Sequence, residues 1–408
     1  MSGFSKDRAA PVVNYFTPKQ PVPAGTALDP QPNGKKIPKL FESLKIKDLT
    51  FHNRIGVSPM CEYSSKDGFP TDYHLIHYGS LALRGPGLII VEAAAISPEG
   101  RITPDDLGIW NDEQALALKR VVDFVHSQGQ KIGIQLGHAG RKGSTVPPFF
   151  HLKEYAKPED GGWQTVAPSP ISFRDGVLPA PRELKIDEIK EIAEKWGAAA
   201  KRSIEISGFD FVEIHAAHGY LLNEFMSETS NKRTDAYGGS FDNRTRLVLD
   251  VVAEIKKNIA IAKIPLFIRV SASENLEDVD ESGWKIEDTN RLADKLILAG
   301  VDVIDVSSGG NSDNQASRTR ASVKEDLHVT LARQVKNHVG NRALVAYVRG
   351  LKTASVAESL LEENVADIVL VGRNFLKNPG LVWEWADQLD IRVTAAQQYV
   401  WGFYPPPL

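Results

Sequence analysis

Eight short apolar runs, each separated from the next by a longer segment with helical periodicity, constrain the fold of this chain more than any other feature. The runs are rich in Val and Ile and too short for helices: "RIGVSPM", "GLIIVEAAA", "KIGIQLGH", "FDFVEIH", "PLFIRVSA", "VDVIDVSS", "ALVAYVRG" and "ADIVLVGR". Such runs are typical of parallel strands that are buried on both faces. Apolar residues recur every three or four positions in the intervening segments, for example in residues 186–206 and 289–299. Eight strands that alternate with helices predict one α/β domain, a (β/α)8 TIM barrel.

Three segments do not follow this alternation. Residues 1–36 are rich in proline and lack periodicity, which predicts an extended N-terminal arm that lies over the body or is disordered. Residues 141–182, between the third and fourth strands, are too many for a simple connection, so we expect an excursion over the barrel mouth. The barrel itself is expected to comprise residues 37–395, followed by a C-terminal tail of residues 396–408.

The composition excludes several classes of protein. The chain has 408 residues, a net charge of −4 and no block of Lys or Arg, so nucleic-acid binding has no electrostatic support. No apolar run approaches the roughly 18 residues that span a bilayer. The single cysteine, Cys61, excludes intrachain disulfides and any multi-cysteine zinc or iron–sulfur site. Because residues 1–10 also lack an apolar signal segment, we expect a reducing, cytoplasmic location.

Active sites of such barrels lie at the C-terminal ends of the strands. The side chains there are mostly hydrogen-bond donors and glycines, which disfavours a two-carboxylate glycosidase. The positions are Ser58-Pro59-Met60-Cys61, Glu92-Ala93, Gln135 and His138, His215 and His218, Arg269, Ser307 to Gly310, Arg349-Gly350 and Gly372-Arg373. Gly372 and Arg373 open a helix after the last strand, so they predict a phosphate site. A tight turn with a surface ion pair is the alternative.

His215 and His218 bracket two alanines and are followed by Gly219 and Tyr220. Three interpretations fit this spacing: buried structural histidines, a metal site completed by His138, and a pair of N–H donors for an oxygen that gains negative charge. A metal site needs at least three ligands, and the strand ends offer no dense cluster of Asp, Glu and His. The small residues let both imidazoles face one space, so we favour the pair of donors.

Six blocks carry a resemblance to a known family: "SPMCEYSS", "GLIIVEAAAISPEGR", "GIQLGHAGRK", "VEIHAAHGYLLNEFMSETSNKRTDAYGGSFDNR", "IRVSAS" and "VGRNFLKNP". In this order they resemble the Old Yellow Enzyme family of FMN-dependent ene-reductases, over about residues 38–400. The cysteine after "SPM" and the "HAAHGY" run resemble the thermophilic-like, YqjM-type branch of that family.

The resemblance implies that FMN lies across the barrel mouth. The residues that would hold it are Ser58, Pro59, Met60, Cys61, Ala93, Gln135, Arg269, Ser308, Gly309, Gly350, Gly372 and Arg373. Among them Gly372 and Arg373 would bind the phosphate, and Gln135 the pyrimidine edge. Arg269 would face the N1/O2 side, where a cation stabilises reduced flavin, or would form a structural ion pair. Cys61 would adjust the redox potential of the flavin without acting as a nucleophile, or would simply be a buried small apolar residue.

The resemblance also implies a ping-pong reaction in which NADPH or NADH reduces FMN and an α,β-unsaturated carbonyl compound then takes its place. His215 and His218 would hold the carbonyl oxygen and Tyr220 would protonate the α-carbon. Tyr63 would contact the substrate or form an aromatic wall. Two alternatives from other classes stay open: a metal-dependent hydrolase that uses His138, His215 and His218, and a non-catalytic flavin-binding protein.

The chain departs from this branch near its C-terminus. Relatives often carry an arginine there that reaches into the site of the neighbouring subunit, whereas "QQYVWG" places Trp401 at that position. The shared-site arginine therefore cannot be carried over, and a homodimer or higher homo-oligomer is left as an open expectation. Trp401 would cover a pocket by stacking, or pack the tail.

Overall fold

Eight parallel strands form a closed barrel in the computed structural model, which describes residues 8–150, 154–276, 282–313 and 325–403. The strands are β1 (Ile55–Val57), β2 (Leu88–Ala95), β3 (Ile132–Gly137), β4 (Phe211–Ala216), β5 (Leu266–Ser271), β6 (Val303–Ser307), β7 (Leu344–Val348) and β8 (Ile368–Val371). Each strand pairs with the next in sequence, and β8 closes the barrel on β1. The predicted TIM barrel is confirmed, and every one of the eight apolar runs contains a strand.

A long helix follows each strand. The helices are α1 (Asp72–Ala82), α2 (Asp112–Ser127), α3 (Ile186–Arg202), α4 (Arg246–Asn258), α5 (Ile286–Ala299), α6 (Glu325–Val339), α7 (Ala354–Glu362) and α8 (Leu381–Gln388). The helix predicted in residues 186–206 ends in a π-helical turn, Ser203–Ser207, which Gly208 terminates at a φ of +84°. The helix predicted in residues 289–299 begins earlier, at Ile286. Among the residues that the structure describes, no helix is both long enough and apolar enough to cross a membrane.

Two apolar layers hold the barrel together. Alternate strand residues point outward to the helices, such as Ile89 and Val91, or inward, such as Leu88 and Ile90. A hairpin before β1, formed by Leu44–Ile46 and Leu49–Phe51, adds Phe51 to the inner layer. Because this hairpin packs against the inner layer near the start of the strands, the opposite end of the barrel is left for a site.

The N-terminal arm lies along the C-terminal part of the chain. The Gly25 amide donates to the Thr394 carbonyl at 2.9 Å, the Thr394 amide donates to Thr26 at 2.8 Å, and the Leu28 amide donates to Arg392 at 2.9 Å. Of the two expectations for the arm, the described residues follow the first, a segment draped over the body. Residues 1–7 and 404–408 lie outside the described residues.

The excursion after β3 covers the mouth of the barrel, as predicted. It contains a small two-stranded sheet of Val166–Ala167 and Arg182–Glu183. Several side chains join it to the loop after β6. Arg141 donates to the Asn311 carbonyl at 2.7 Å, and Arg174 forms a two-pronged ion pair with Asp313 at 2.6 and 2.9 Å.

Candidate active site

The segment after β4 makes a tight turn that depends on a glycine. His218 and Gly219 both adopt positive φ values, +62° and +73°. The His218 amide donates to the Ser271 hydroxyl at 2.9 Å, which ties the turn to the end of β5. A Cβ atom on Gly219 would overlap the carbonyl oxygen of Gly310, so the turn can approach the β6 loop only with glycine at this position.

This turn brings together three side chains that the sequence had singled out. The rings of His215 and His218 lie 5.2 Å apart between centroids, with an angle of 90° between their planes. The Tyr220 ring lies 5.0 Å from that of His215, again edge to face. The expectation that both imidazoles face one space agrees with this geometry, although their catalytic roles stay predictions.

Both imidazoles are neutral at physiological pH. Burial lowers the pKa of His215 well below its ordinary value, and it lowers the pKa of His218 to about 3, with the positive charge of Arg269 acting in the same direction. The Nδ1 atom of His215 accepts the Ala217 amide at 3.3 Å, so the neutral ring carries its proton on Nε2. His215 is therefore a neutral N–H donor.

Two phenols and a thiol near the turn are all held in their protonated forms. Burial raises the pKa of Tyr220 and of Tyr63 above the usual range, and Cys61 adds to both shifts. Burial also raises the pKa of Cys61 itself, although the Ala93 amide donates to the sulfur. A thiol whose pKa is raised is not an activated nucleophile, and the role of Cys61 at the flavin stays a prediction.

Asp106 is a buried carboxyl beside these groups that the sequence reasoning missed. It accepts the Ile102 amide at 2.7 Å and the Thr103 hydroxyl at 2.8 Å. Burial raises its pKa to about 7. Its local sequence, "TPDD", reads like a surface turn, so no local signal could have separated it from Asp105.

A polar cluster lies inside the barrel where β3, β4, β5 and β6 end. Gln135 donates to Glu213 at 2.7 Å, and Arg269 donates to Asp305 and, at 3.0 Å, to the Ser58 hydroxyl. Arg269 thus makes the ion pair that was the alternative interpretation, and it also lines the cavity described below. Burial raises the pKa of Glu213 to about 8, so this carboxyl holds a proton at neutral pH.

Glu213 and Asp305 belong to the site and were also missed. Each interrupts an apolar strand, in "FVEIH" and "VIDVS", and that interruption is the signal that could have found them. In the sheet register Glu213 lies opposite Gln135, and Asp305 lies opposite Arg269. A carboxylate buried inside a barrel needs such a partner on the neighbouring strand.

A cavity of about 620 Å³ opens beside this cluster, at the ends of β1, β7 and β8. Its walls are Met60, His218, Arg269, Ser307, Val348, Arg349, Gly350, Leu351, Lys352, Leu370, Val371, Gly372, Arg373, Asn374 and Lys377. Five of these residues are Lys or Arg, and none is Asp or Glu. A Cβ atom on Gly350 would meet no neighbour within 4 Å, and one on Gly372 would lie 3.2 Å from the Met60 sulfur. The cavity therefore suits an anionic ligand with an apolar body.

Of the remaining predicted cofactor residues, Pro59 and Ala93 lie near Cys61, whereas Ser308 and Gly309 contact the loop after β5. Pro59 follows β1 and is partly exposed. Ala93 sits at a register shift in β2, and its amide donates to the Cys61 sulfur. The Ser308 hydroxyl instead contacts Asn275 at 3.2 Å. The Gly309 amide donates to the Ser273 carbonyl at 2.8 Å, away from the cavity walls given above. Cofactor contacts by Ser308 and Gly309 stay predictions.

A second pocket, of about 220 Å³, lies on the Tyr220 side of the turn, beneath the excursion. Tyr63, Phe173 and Tyr220 supply aromatic walls, and the Phe149 ring meets Tyr63 edge to face at 5.9 Å. Lys142 also lines the pocket. The expected excursion therefore forms the roof of a small, largely apolar pocket next to the histidines.

The three histidines of the hydrolase alternative do not form a ligand set. His138 turns its Nδ1 atom to the Gly140 amide at 3.1 Å. Within residues 8–150, 154–276, 282–313 and 325–403, no group of three or more His, Cys, Asp or Glu side chains is arranged to hold a metal ion. The donor set gives the hydrolase interpretation no support.

Comparison with known proteins assigns the chain to a family. A model of the NADH:flavin oxidoreductase / NADH oxidase family matches residues 39–391. The chain is 46% identical over 403 residues to an NADH:flavin oxidoreductase of Gibberella zeae, covering 97% of this chain and 95% of the relative. It is 40% identical over 371 residues to the NADPH dehydrogenase of Bacillus subtilis, covering 90% and 99%. A solved structure of morphinone reductase in complex with tetrahydroNAD superposes with a TM-score of 0.69 at 29% identity, covering 88% of this chain and 93% of that one.

The fold and the site thus define a flavin-dependent oxidoreductase built on a TIM barrel. The chain belongs to the NADH:flavin oxidoreductase / NADH oxidase family, and the resemblance to the Old Yellow Enzyme family is confirmed. FMN is the cofactor of this family, and NADH or NADPH is the electron donor. The cavity at β1, β7 and β8 fits FMN, because its cationic wall suits the phosphate and its apolar wall suits a ring system.

Proposed function

We propose that this protein reduces the C=C bond of α,β-unsaturated carbonyl compounds, with NADPH or NADH as the source of electrons. The observation that carries the proposal is the convergence of two neutral imidazoles and one protonated phenol on a single space. That space lies between the cofactor cavity, which His218 lines, and the roofed pocket, which Tyr220 lines. FMN, when bound, supplies the hydride chemistry, and the side chains of the chain supply binding, polarisation and a proton.

His215 and His218 bind the carbonyl oxygen in this proposal. The His215 Nε2–H is a donor whose orientation is fixed in advance by the Ala217 amide on the other ring nitrogen. The His218 Nε2 atom lies 2.6 Å from the Ser307 hydroxyl, which fixes that ring as well. Because neither imidazole is charged, each stabilises developing negative charge on the oxygen by hydrogen bonding rather than by transferring a proton.

Tyr220 is the proton donor in this proposal. Its raised pKa keeps the phenol protonated until the α-carbon gains electron density. The Lys142 ammonium lies 5.1 Å from the centre of the Tyr220 ring, where it stabilises negative charge that builds on the ring as the proton leaves.

The size of the roofed pocket supports an alternating, ping-pong order of substrates. About 220 Å³ accommodates one ring-sized reactant at a time. The nicotinamide and the unsaturated carbonyl compound would then take turns in the same space, and each would leave before the other enters.

The first test asks whether the His215 imidazole is needed for the reaction with the enone but not for binding of the flavin. In the His215→Ala variant, oxidation of the reduced enzyme by 2-cyclohexenone, followed anaerobically by flavin absorbance, should slow by about 10²–10³. Its flavin content and melting temperature should match wild type. An oxidation rate within threefold of wild type would remove His215 from the proposal.

A second variant tests the proton. Tyr220→Phe should slow oxidation by the enone but leave oxidation by ferricyanide, which accepts electrons and needs no proton on carbon, at the wild-type rate. Equal slowing with both acceptors would mean that Tyr220 supports the flavin rather than the proton transfer. Wild-type enzyme that is bleached by NADPH and is not reoxidised by any enone would favour the non-catalytic flavin-binding alternative.

A further inference from the structure

Arg349, directly after β7, adopts a backbone conformation that arginine rarely occupies. Its φ is +127°, and the φ of the following residue, Gly350, is +68°. A side chain at such a φ costs free energy, and residues in this state persist where the surrounding structure holds them, commonly at ligand sites. Glycine would adopt the same conformation without that cost. An arginine at this position therefore needs a compensating role.

The charges around Arg349 point to an anion. Arg349 and Arg373 line the same cavity. Partial burial lowers the pKa of Arg349, and the positive charge of Arg373 acts in the same direction. In the part of the chain that the structure describes, neither guanidinium has an ion pair or a hydrogen bond. Arg269, which lines the same cavity, is by contrast paired with Asp305. Both residues are exposed, so water and salt screen part of their repulsion, and an anion bound between them would neutralise the rest.

We propose that Arg349 is a second phosphate-binding residue for FMN, and that Arg349 and Arg373 clamp the phosphate from the ends of β7 and β8. The two positive charges match a phosphate dianion, and guanidinium groups bind phosphate oxygens through paired N–H donors. Gly350 and Gly372, next to the two arginines, leave the backbone open for close approach. The inference rests on FMN as the cofactor and not on the reduction of unsaturated carbonyl compounds.

The test compares FMN with riboflavin, which lacks only the phosphate. Full-length protein stripped of flavin is titrated with each ligand, and binding is followed by quenching of flavin fluorescence. Arg349→Gly should raise the Kd of FMN by about 10–100-fold, the loss expected for one charge-assisted contact, and should change the Kd of riboflavin by less than about twofold. Arg349→Lys, which keeps the charge, should stay within about fivefold of wild type for FMN. Without flavin, Arg349→Gly should melt no lower than wild type, because glycine relieves the strained φ.

A matched control is available in Asn364, which has a φ of +54° and does not line the cavity. Asn364→Gly likewise removes a side chain from a residue with a positive φ, and it should leave both flavin affinities unchanged. If Arg349→Gly folds poorly, Arg349→Met replaces it, since methionine removes the charge and keeps the bulk.

Two results would overturn the proposal. The first is an unchanged Kd for FMN; a KM that then rises for NADPH but not for NADH would assign the guanidinium to the dinucleotide instead. The second is a loss of FMN and riboflavin affinity by the same factor, which would indicate a role in the fold alone.

Discussion

We expect Glu224 to lower the stability of this protein as the pH rises, and we expect the isosteric substitution Glu224→Gln to remove this dependence. It lies in the short helix Leu221–Met226 after β4 and is completely buried. One carboxyl oxygen accepts the Arg141 amide at 2.9 Å, and the other has no hydrogen-bond partner among the described residues. Burial raises the pKa of Glu224 from 4.5 to about 8, although the positive charge of Arg141 opposes the shift.

The sign and size of the effect follow from proton linkage. The folded protein keeps a proton on Glu224 that the unfolded chain releases above pH 4.5, so the contribution to the free energy of unfolding is complete below that pH. It is lost as the pH rises through about 8. That interval corresponds to about 4–5 kcal/mol at about 1.4 kcal/mol per pH unit. Over 408 residues, an unfolding entropy of about 2.1 cal/mol/K per residue converts this loss into a melting temperature lower by about 5 °C.

The assay is thermal unfolding of wild type and Glu224→Gln by circular dichroism between pH 5 and pH 9. Glutamine carries no titrating proton, so the melting temperature of the variant minus that of wild type should grow by about 5 °C over this range. Groups common to both proteins, including the two active-site histidines, cancel in the difference. Glu191→Gln on α3, an exposed glutamate 3.0 Å from Lys195, should give a difference that stays constant within about 1 °C. Parallel curves for wild type and Glu224→Gln would show that Glu224 is ionised in the folded protein and would refute the argument.

Two further substitutions test the turn and the tail. Gly219→Ala should lower the melting temperature by about 3 °C or more and abolish turnover with an enone. The reason is that the new Cβ atom would overlap the Gly310 carbonyl, at a residue whose φ is positive. A wild-type melting temperature would contradict this geometry of the turn. Trp401 is 73% exposed, so the structure does not support the expectation that it packs the tail, and Trp401→Ala should change the melting temperature by less than about 1 °C. A shift to a smaller species on size exclusion would instead place Trp401 at an interface between subunits.

Much of the barrel and of its mouth follows from local patterns in the sequence. Strands buried on both faces appear as uninterrupted apolar runs, so the ends of the runs locate the ends of the strands. Gln135, His215 and Arg269 each lie in the last part of such a run, and the structure places all three near the same end of the barrel. For these residues the position along the strand was sufficient, because a closed parallel barrel brings all strand ends to one rim.

The pairing of charges was not predictable in the same way. The charge of Arg269 is neutralised by an ion pair with Asp305, which lies 36 residues further along the chain. The two residues are neighbours only because of the register between β5 and β6. Local periodicity shows which residues point inward but does not specify the register between neighbouring strands. The same limit applies to Glu213, whose pKa is raised by burial, with the charge of Arg269 opposing the shift and that of Asp305 adding to it.

The length of the excursion did not predict its contacts with the active-site residues. Lys142, at its beginning, donates to the His218 carbonyl at 2.6 Å and to the Gly310 carbonyl at 2.8 Å, so one ammonium joins the turn after β4 to the loop after β6. Its positive charge also contributes to the lowered pKa of both His215 and His218, which keeps the two donors neutral. The segment that roofs the pocket therefore also holds the turn in place and adds to the burial and the charge of Arg269 that keep the two imidazoles neutral. A change in the excursion that altered the choice of substrate would for this reason be expected to alter the chemistry of the two histidines as well.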